Sequence, residues 1–311
     1  MDLASLIAAD FARLLQYGGA SILFGTALFN LISLPRSGEA AAAAQAWPKP
    51  LFLGAGMTLV AGAVLSLLAQ SATMNDVSLT RLNLDEVKTV LLDMQWGHAI
   101  AVRILLGLCA VIIAFGQPRP AVFTWLAGLG AISLASFAFT GHGVADDGLI
   151  GIIHLGSDMI HSFAAGVWIG ALVGFFILLA RAPTLQDPNR TILVAALTGF
   201  ANTGTTMVAV LAVTGLINSY FLIGFAGLPR IFSSVYGDLL AVKVVLFVVM
   251  LGLAANNRFR LTPALAAASD PSSRTSAILA LRQSVTLEVG AGITILALVA
   301  AFGMMEPPAV S

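Results

Sequence analysis

The sequence predicts an all-α protein that crosses a membrane eight times. Three observations predict it. Hydrophobic residues make up 59% of the 311-residue chain and charged residues only 10%, against about 25% charged in an average soluble domain. The apolar residues fall into runs near the ~20 needed to cross ~30 Å of hydrocarbon. Pro118, Pro120, Pro183, Pro188, Pro229, Pro263 and Pro271 lie between those runs, where a missing N–H costs little.

The first span is read over residues 6–33, amphipathic at its start through Asp10, Arg13 and Gln16. The second covers 50–70. The third covers 96–116 and is entered through Met94-Gln95-Trp96-Gly97-His98. Pro118-Arg119-Pro120 turns the chain into the fourth, 121–140. The fifth covers 150–180, the sixth 191–222, the seventh 236–256 and the eighth 282–303. One transmembrane domain is expected over 1–311, with no internal repeat. Met1-Asp2-Leu3-Ala4-Ser5 lacks the basic start of a removable signal peptide, so the first span is expected to be retained.

Basic residues orient the bundle. Connections 1, 3, 5 and 7 hold Arg36, Lys49, Arg119, Arg181, Arg190, Arg258, Arg260, Arg274 and Arg282; the others hold Arg81, Lys88 and Arg230. Nine against three places the odd connections in the cytoplasm and both termini on the outer side, which is periplasmic if the membrane is a bacterial inner membrane. Zero net charge and the lack of a long basic block argue against nucleic acid as a partner. Lipid is the expected surrounding. The single cysteine, Cys109, excludes an intrachain disulfide and reads first as a small buried apolar residue.

All four histidines fall towards the outer side of this topology. His98 opens the third span, His142 follows the fourth between Gly141 and Gly143, and His154 and His161 sit in the fifth. At 100° per residue, His154, Asp158, His161, Ala165 and Trp168 share one stripe of the fifth helix. Gly166, Gly170 and Gly174 share the opposite stripe, a pattern that lets helices approach closely in lipid. The fifth span therefore reads as a central helix. One face packs tightly; the other turns ionisable groups inward, away from lipid.

Imidazole and carboxylate four apart can share a metal ion. His154 and His161 are seven apart, a rise of ~10.5 Å that is awkward for one ion. Two arrangements stay open: His154 and Asp158 meeting His98 or His142, or Asp158 orienting His161. Met94, four residues before His98, is a soft capture candidate; Met304 and Met305 end the last span. Histidine, carboxylate and methionine together suit copper better than calcium or magnesium. The candidate metal residues are thus His98, His142, His154, Asp158, His161 and Met94. Arg103, Lys243 and Glu288 also lie within spans. They read first as structural ion pairs, and second, for Glu288, as a group that moves protons. Trp47, Trp96 and Trp125 read as interface anchors.

Three functions fit these residues: a metal transporter, a haem-binding electron carrier with histidine ligands, or a membrane assembly factor. No G-x-x-x-x-G-K-[ST] or C-x-x-C motif occurs, and no catalytic constellation argues for an enzyme.

An ordered series of segments resembles the copper resistance protein D (CopD) family of bacterial inner-membrane proteins. It comprises His154-Leu155-Gly156-Ser157-Asp158-Met159-Ile160-His161, Trp168-Ile169-Gly170-Ala171-Leu172, Tyr236-Gly237-Asp238-Leu239-Leu240-Ala241-Val242-Lys243, Asn256-Asn257-Arg258-Phe259-Arg260-Leu261 and Leu281-Arg282-Gln283-Ser284-Val285-Thr286-Leu287-Glu288. The likeness is strongest over residues 135–308. It implies a multi-pass inner-membrane protein for copper homeostasis and resistance. Copper would be accepted on the periplasmic side, from a donor of the CopC type, and passed towards the cytoplasm.

Overall fold

In the computed structural model, residues 3–35, 49–140, 148–180, 187–231, 234–303 and 305 are described. The first crossing is built from α1 (Leu3–Ser21), a π-helical turn (Ile22–Thr26) and α2 (Ala27–Ile32). Then come α3 (Lys49–Met74), α4 (Leu84–Asp93), α5 (Gln95–Ala114), α6 (Pro120–Ala138) and α7 (Gly148–Ala180). Next follow α8 (Asp187–Ile231), α9 (Val235–Asn256), a second π-helical turn (Asn257–Leu261), α10 (Thr262–Ala267) and α11 (Pro271–Phe302). Eight helices are long and apolar enough to cross a membrane, and no strand occurs among the described residues. The polytopic all-α class expected from composition is the class observed.

Large apolar side chains crowd the outside of the bundle. Leu105, Ile112, Trp125, Leu216 and Val245 are all 61% exposed or more. Such a surface suits hydrocarbon rather than water. The polar backbone of each crossing is satisfied within its own helix, as lipid requires.

Helix ends follow local chemistry. The α4 helix, which periodicity did not reveal, starts on a reciprocal box: Asn83 Oδ1 accepts from Glu86 N, and Glu86 Oε2 accepts from Asn83 N, both at 2.9 Å. It buries Val90 against Ala63, Leu67 and Ile100. The last crossing starts eleven residues before the expected position 282, because Asp270 caps Ser272 N and Ser273 N at 3.0 and 2.9 Å and Pro271 presets the first turn. The seventh crossing likewise runs on through Ala267, carried past position 256 by the second π turn. Within α8 the helical path breaks at Gly224, whose φ of 62° and ψ of 171° suit only glycine.

The centre of the bundle is a backbone contact between α7 and the first π turn. A methyl group on Gly25 would lie 1.9 Å from Gly166 O, and one on Gly170 would lie 2.2 Å from Gly25 C. Thr26 Oγ1 donates to Gly170 O at 3.1 Å. Farther along, Gly174 leaves room for the Phe29 ring, which meets Phe175 edge-on at 4.9 Å between centroids. The glycine stripe thus seats α7 on the first crossing, while α6, α8 and α11 also pack against α7.

Arg103 fastens α5 to its neighbours. It is 3% exposed and, among the described residues, is held by neutral groups rather than an ion pair. It donates to Ser136 Oγ and O, Thr140 Oγ1 and Gln16 Oε1 at 2.7–3.3 Å. Its guanidinium lies 4.1 Å from the Phe137 ring centroid.

Gly170→Ala is expected to destabilise the purified protein by about 1–3 kcal/mol or more through overpacking. Gly156→Ala, with open space around the added methyl, should leave the melting temperature near that of the parent. Thermal unfolding in one detergent checks both. A second prediction concerns acid. Hydrogen bonds from Ser272 and Ser273 hold the Asp270 carboxyl below the usual carboxylate range. Its stabilisation of the α11 start is therefore present above the unfolded value of about 3.9 and is lost as pH falls below it. Amide exchange at Ser272 and Ser273 should accelerate there relative to the middle of α11.

Candidate functional site

Six helices close around a cavity of about 200 Å³. From α7 it receives His154, Asp158 and His161; from α1, Arg13 and Tyr17; from α8, Asn218 and Ser219. Tyr236 and Lys243 enter from α9, Phe137 from α6, and Val299 and Phe302 from α11. The polar stripe of α7 thus faces the interior, because its glycine stripe is occupied by the first crossing.

His161 is held in one tautomer. Its Nδ1 lies 2.9 Å from Thr214 Oγ1. The Thr214 hydroxyl spends its own hydrogen on Val210 O, 2.6 Å away. The imidazole Nδ1 must therefore carry a proton and donate; in the neutral ring this leaves Nε2 with a free lone pair. Ser157 Oγ adds a long bond to Thr214 O at 3.4 Å and holds α7 to α8 at the same level. An imidazole oriented through one nitrogen and open at the other is the usual preparation of a metal ligand.

His154 is 4% exposed and stacks on Phe221, with centroids 4.6 Å apart and planes at 17°. Stacking fixes the ring plane and leaves the nitrogens in its edge. Asp158 shares the cavity with Lys243, and the two are near enough to attract each other. Lys243 Nζ also lies 5.5 Å from the Phe302 ring centroid. Arg13 Nη1 and Asn218 Oδ1 are buried without a hydrogen-bond partner among the described residues. Trp168, on the same stripe by sequence, instead packs with Ala164, Leu172, Leu211 and Met250.

The other candidates lie elsewhere. His98 is exposed on α5, outside the cavity, and its Nε2 donates to Leu92 O at 2.7 Å. Met94 packs on the cluster of Ala63, Leu67, Val90 and Ile100. His142 and Met304 lie outside the described residues. Among the described residues no three His, Cys, Asp or Glu side chains gather as a closed metal site. Sequence reasoning missed Thr214, Asn218 and Tyr236. The available signal was the pair of polar residues Thr214 and Asn218, four apart in α8, which places them on one face.

Fold and site together define a multi-pass membrane protein with a polar, histidine-bearing cavity enclosed by its helices. Two family models account for most of the chain. Residues 3–152 match the copper resistance protein D-like N-terminal domain, and residues 194–302 match copper resistance protein D. Copper resistance protein D of Pseudomonas syringae pv. tomato is 33% identical over 300 residues, covering 95% of each chain. This chain belongs to the copper resistance protein D family and is a multi-pass inner-membrane protein. It is also similar to inner membrane protein YebZ of Escherichia coli (strain K12), 29% identical over 55% of this chain and 57% of that one. The copper transport protein CutJ of Bacillus subtilis (strain 168) is 32% identical over 39% of this chain and 21% of that one. No solved structure matches.

Proposed function

We propose that this chain takes up copper at its periplasmic side and passes it through the α7 cavity towards the cytoplasm. The observation that carries the reading is the His161–Thr214 pair: an imidazole oriented through Nδ1 on the wall of a cavity between the membrane-spanning helices. His154 is the second ligand in this reading, and Asp158 offsets the charge of the ion. Family membership and the names of two relatives, a copper resistance protein and a copper transport protein, support copper as the cargo. Imidazole is a fitting ligand for it.

The absence of a closed three-ligand site among the described residues suits passage better than storage. A few ligands spread along one helix release an ion more readily than a closed shell. Lys243 beside Asp158 opposes tight retention of a cation in the same way. His98 and Met94 stand in this reading at the periplasmic entrance rather than in the cavity. A soluble copper-binding protein of the CopC type is the proposed donor. Haem is a poorer fit to the cavity: its 200 Å³ is below the range of about 300–1,000 Å³ that drug-sized ligands occupy. The two cavity histidines also share one helix, rather than facing each other across two.

His154→Ala and His161→Ala should each lower copper bound per purified protein, read by elemental analysis after loading, while membrane insertion persists. Unchanged stoichiometry and affinity in both would remove the cavity from the mechanism. Thr214→Val should weaken copper binding about 10- to 100-fold by freeing the His161 ring. Copper accumulation in cells, compared with a strain lacking the protein, tests direction: inward transport predicts more intracellular copper with the parent chain than with His161→Ala.

A further inference from the structure

Glu288 lies in the membrane-spanning part of α11 and is 2% exposed. Its Oε1 accepts a short hydrogen bond from Asn257 Nδ2. Asn257 is the first residue of the second π turn, where α9 departs from regular helix. Such turns are frequent at functional sites. Two other polar atoms here are buried without a partner among the described residues: Asn257 Oδ1 and Ser284 Oγ. Ser284 is 6% exposed and sits one turn before Glu288, on the same face of α11.

Donor counting decides the protonation state. A carboxylate only accepts; a carboxylic acid also offers one O–H. An acid and a primary amide can close two reciprocal bonds, amide N–H to acid oxygen and acid O–H to amide oxygen. The first of these bonds is present. A protonated Glu288 supplies a donor for the second, and Asn257 Oδ1 has no partner among the described residues.

The surrounding charges do not offset an ionised Glu288. On the π turn, Arg258 reaches Ala201 O and Thr205 Oγ1 of α8, and Arg260 is exposed. On α11 itself, Arg282 donates to Leu179 O, and Arg274 to Ala268 O and Ser269 O. The remaining groups on the packed helices lie towards the cavity end: Lys243 and Tyr236 of α9, Arg13 and Tyr17 of α1, with Asp10 beside Arg13, and His154, Asp158 and His161 of α7. Asp238 is exposed at the start of α9. The α10 helix carries no charged residue. A buried, uncompensated carboxylate in this setting costs several kcal/mol; the neutral acid does not.

We infer that Glu288 and Asn257 form a buried proton-binding site, in which Glu288 holds an exchangeable proton as a neutral acid paired to the Asn257 amide. Transfer of that proton to water breaks the Glu288 O–H bond, ends its hydrogen bond to Asn257 Oδ1 and leaves a carboxylate charge on the seam between α9 and α11. The same two helices supply Lys243, Tyr236, Val299 and Phe302 to the cavity, and Ile295 on its wall is about 10 Å further along α11. A link from proton exchange to copper passage rests on the proposed function; the proton site itself does not.

Infrared difference spectra of the full chain in lipid nanodiscs test it. At pH 7 the parent should show the carbonyl stretch of a protonated carboxylic acid that shifts in D₂O, and Glu288→Gln should lack it. Asn257→Ala should move the band to higher frequency, since the acid carbonyl loses its N–H donor. That second variant keeps the test decisive if Glu288→Gln fails to fold. No acid band at pH 7 in the parent, a band surviving in Glu288→Gln, or a band indifferent to Asn257→Ala would overturn the site. Copper enters neither spectrum, so failure of the copper reading and failure of the proton site are separately visible.

Discussion

The bundle depends on a contact that admits no side chain. Gly25 of the first crossing meets the backbone of Gly166 and Gly170 on α7, and Thr26 adds a hydrogen bond to Gly170 O. In lipid there is no hydrophobic force to pull apolar helices together, so close packing and interhelical hydrogen bonds must do so. The π turn at Ile22–Thr26 is the local irregularity at which the two backbones meet. With its glycine face filled, α7 has one orientation left. His154, Asp158 and His161 are turned to the interior as a result of where the glycines lie.

Polar groups within the bundle are few, and most have a structural role. Arg103 joins α5, α6 and α1 through neutral acceptors and an aromatic face. This arrangement keeps a guanidinium in a membrane protein without a buried carboxylate, whose desolvation would add to the cost. The cavity differs. It retains Arg13 Nη1 and Asn218 Oδ1 without partners among the described residues, alongside an imidazole whose second nitrogen is open. Unsatisfied groups are costly in a closed core, and these two lie on the wall of a cavity, where a polar guest can meet them.

Much of this was legible beforehand. Eight apolar runs gave eight crossings because crossing length is fixed by the bilayer. The helical period separated the glycine face of α7 from its histidine face, and the structure uses both faces in that sense. The limits of α11 and the existence of α4 were less visible. Both are set by caps, Asp270 and the Asn83–Glu86 box, while the polar residues that follow them hide the helix from a hydropathy reading. The sequence reads Glu288 first as half of an ion pair and second as a group that moves protons. Its partner is an amide on a π turn, and no sequence pattern announces that local register shift.

The sequence by itself determined the class, the number of crossings and the helix that carries the candidate chemistry, since all three follow from composition and from period along one chain. Only the tertiary structure decided which groups meet. His98 and Met94, near in sequence to a presumed entrance, stand apart from the cavity. Asn218, Tyr236 and Lys243, distant along the chain, come to it. The reason is that a bilayer constrains each helix along its normal but leaves its neighbours and rotation to side-chain packing. Those depend on contacts between helices, and periodicity along a single helix does not contain them.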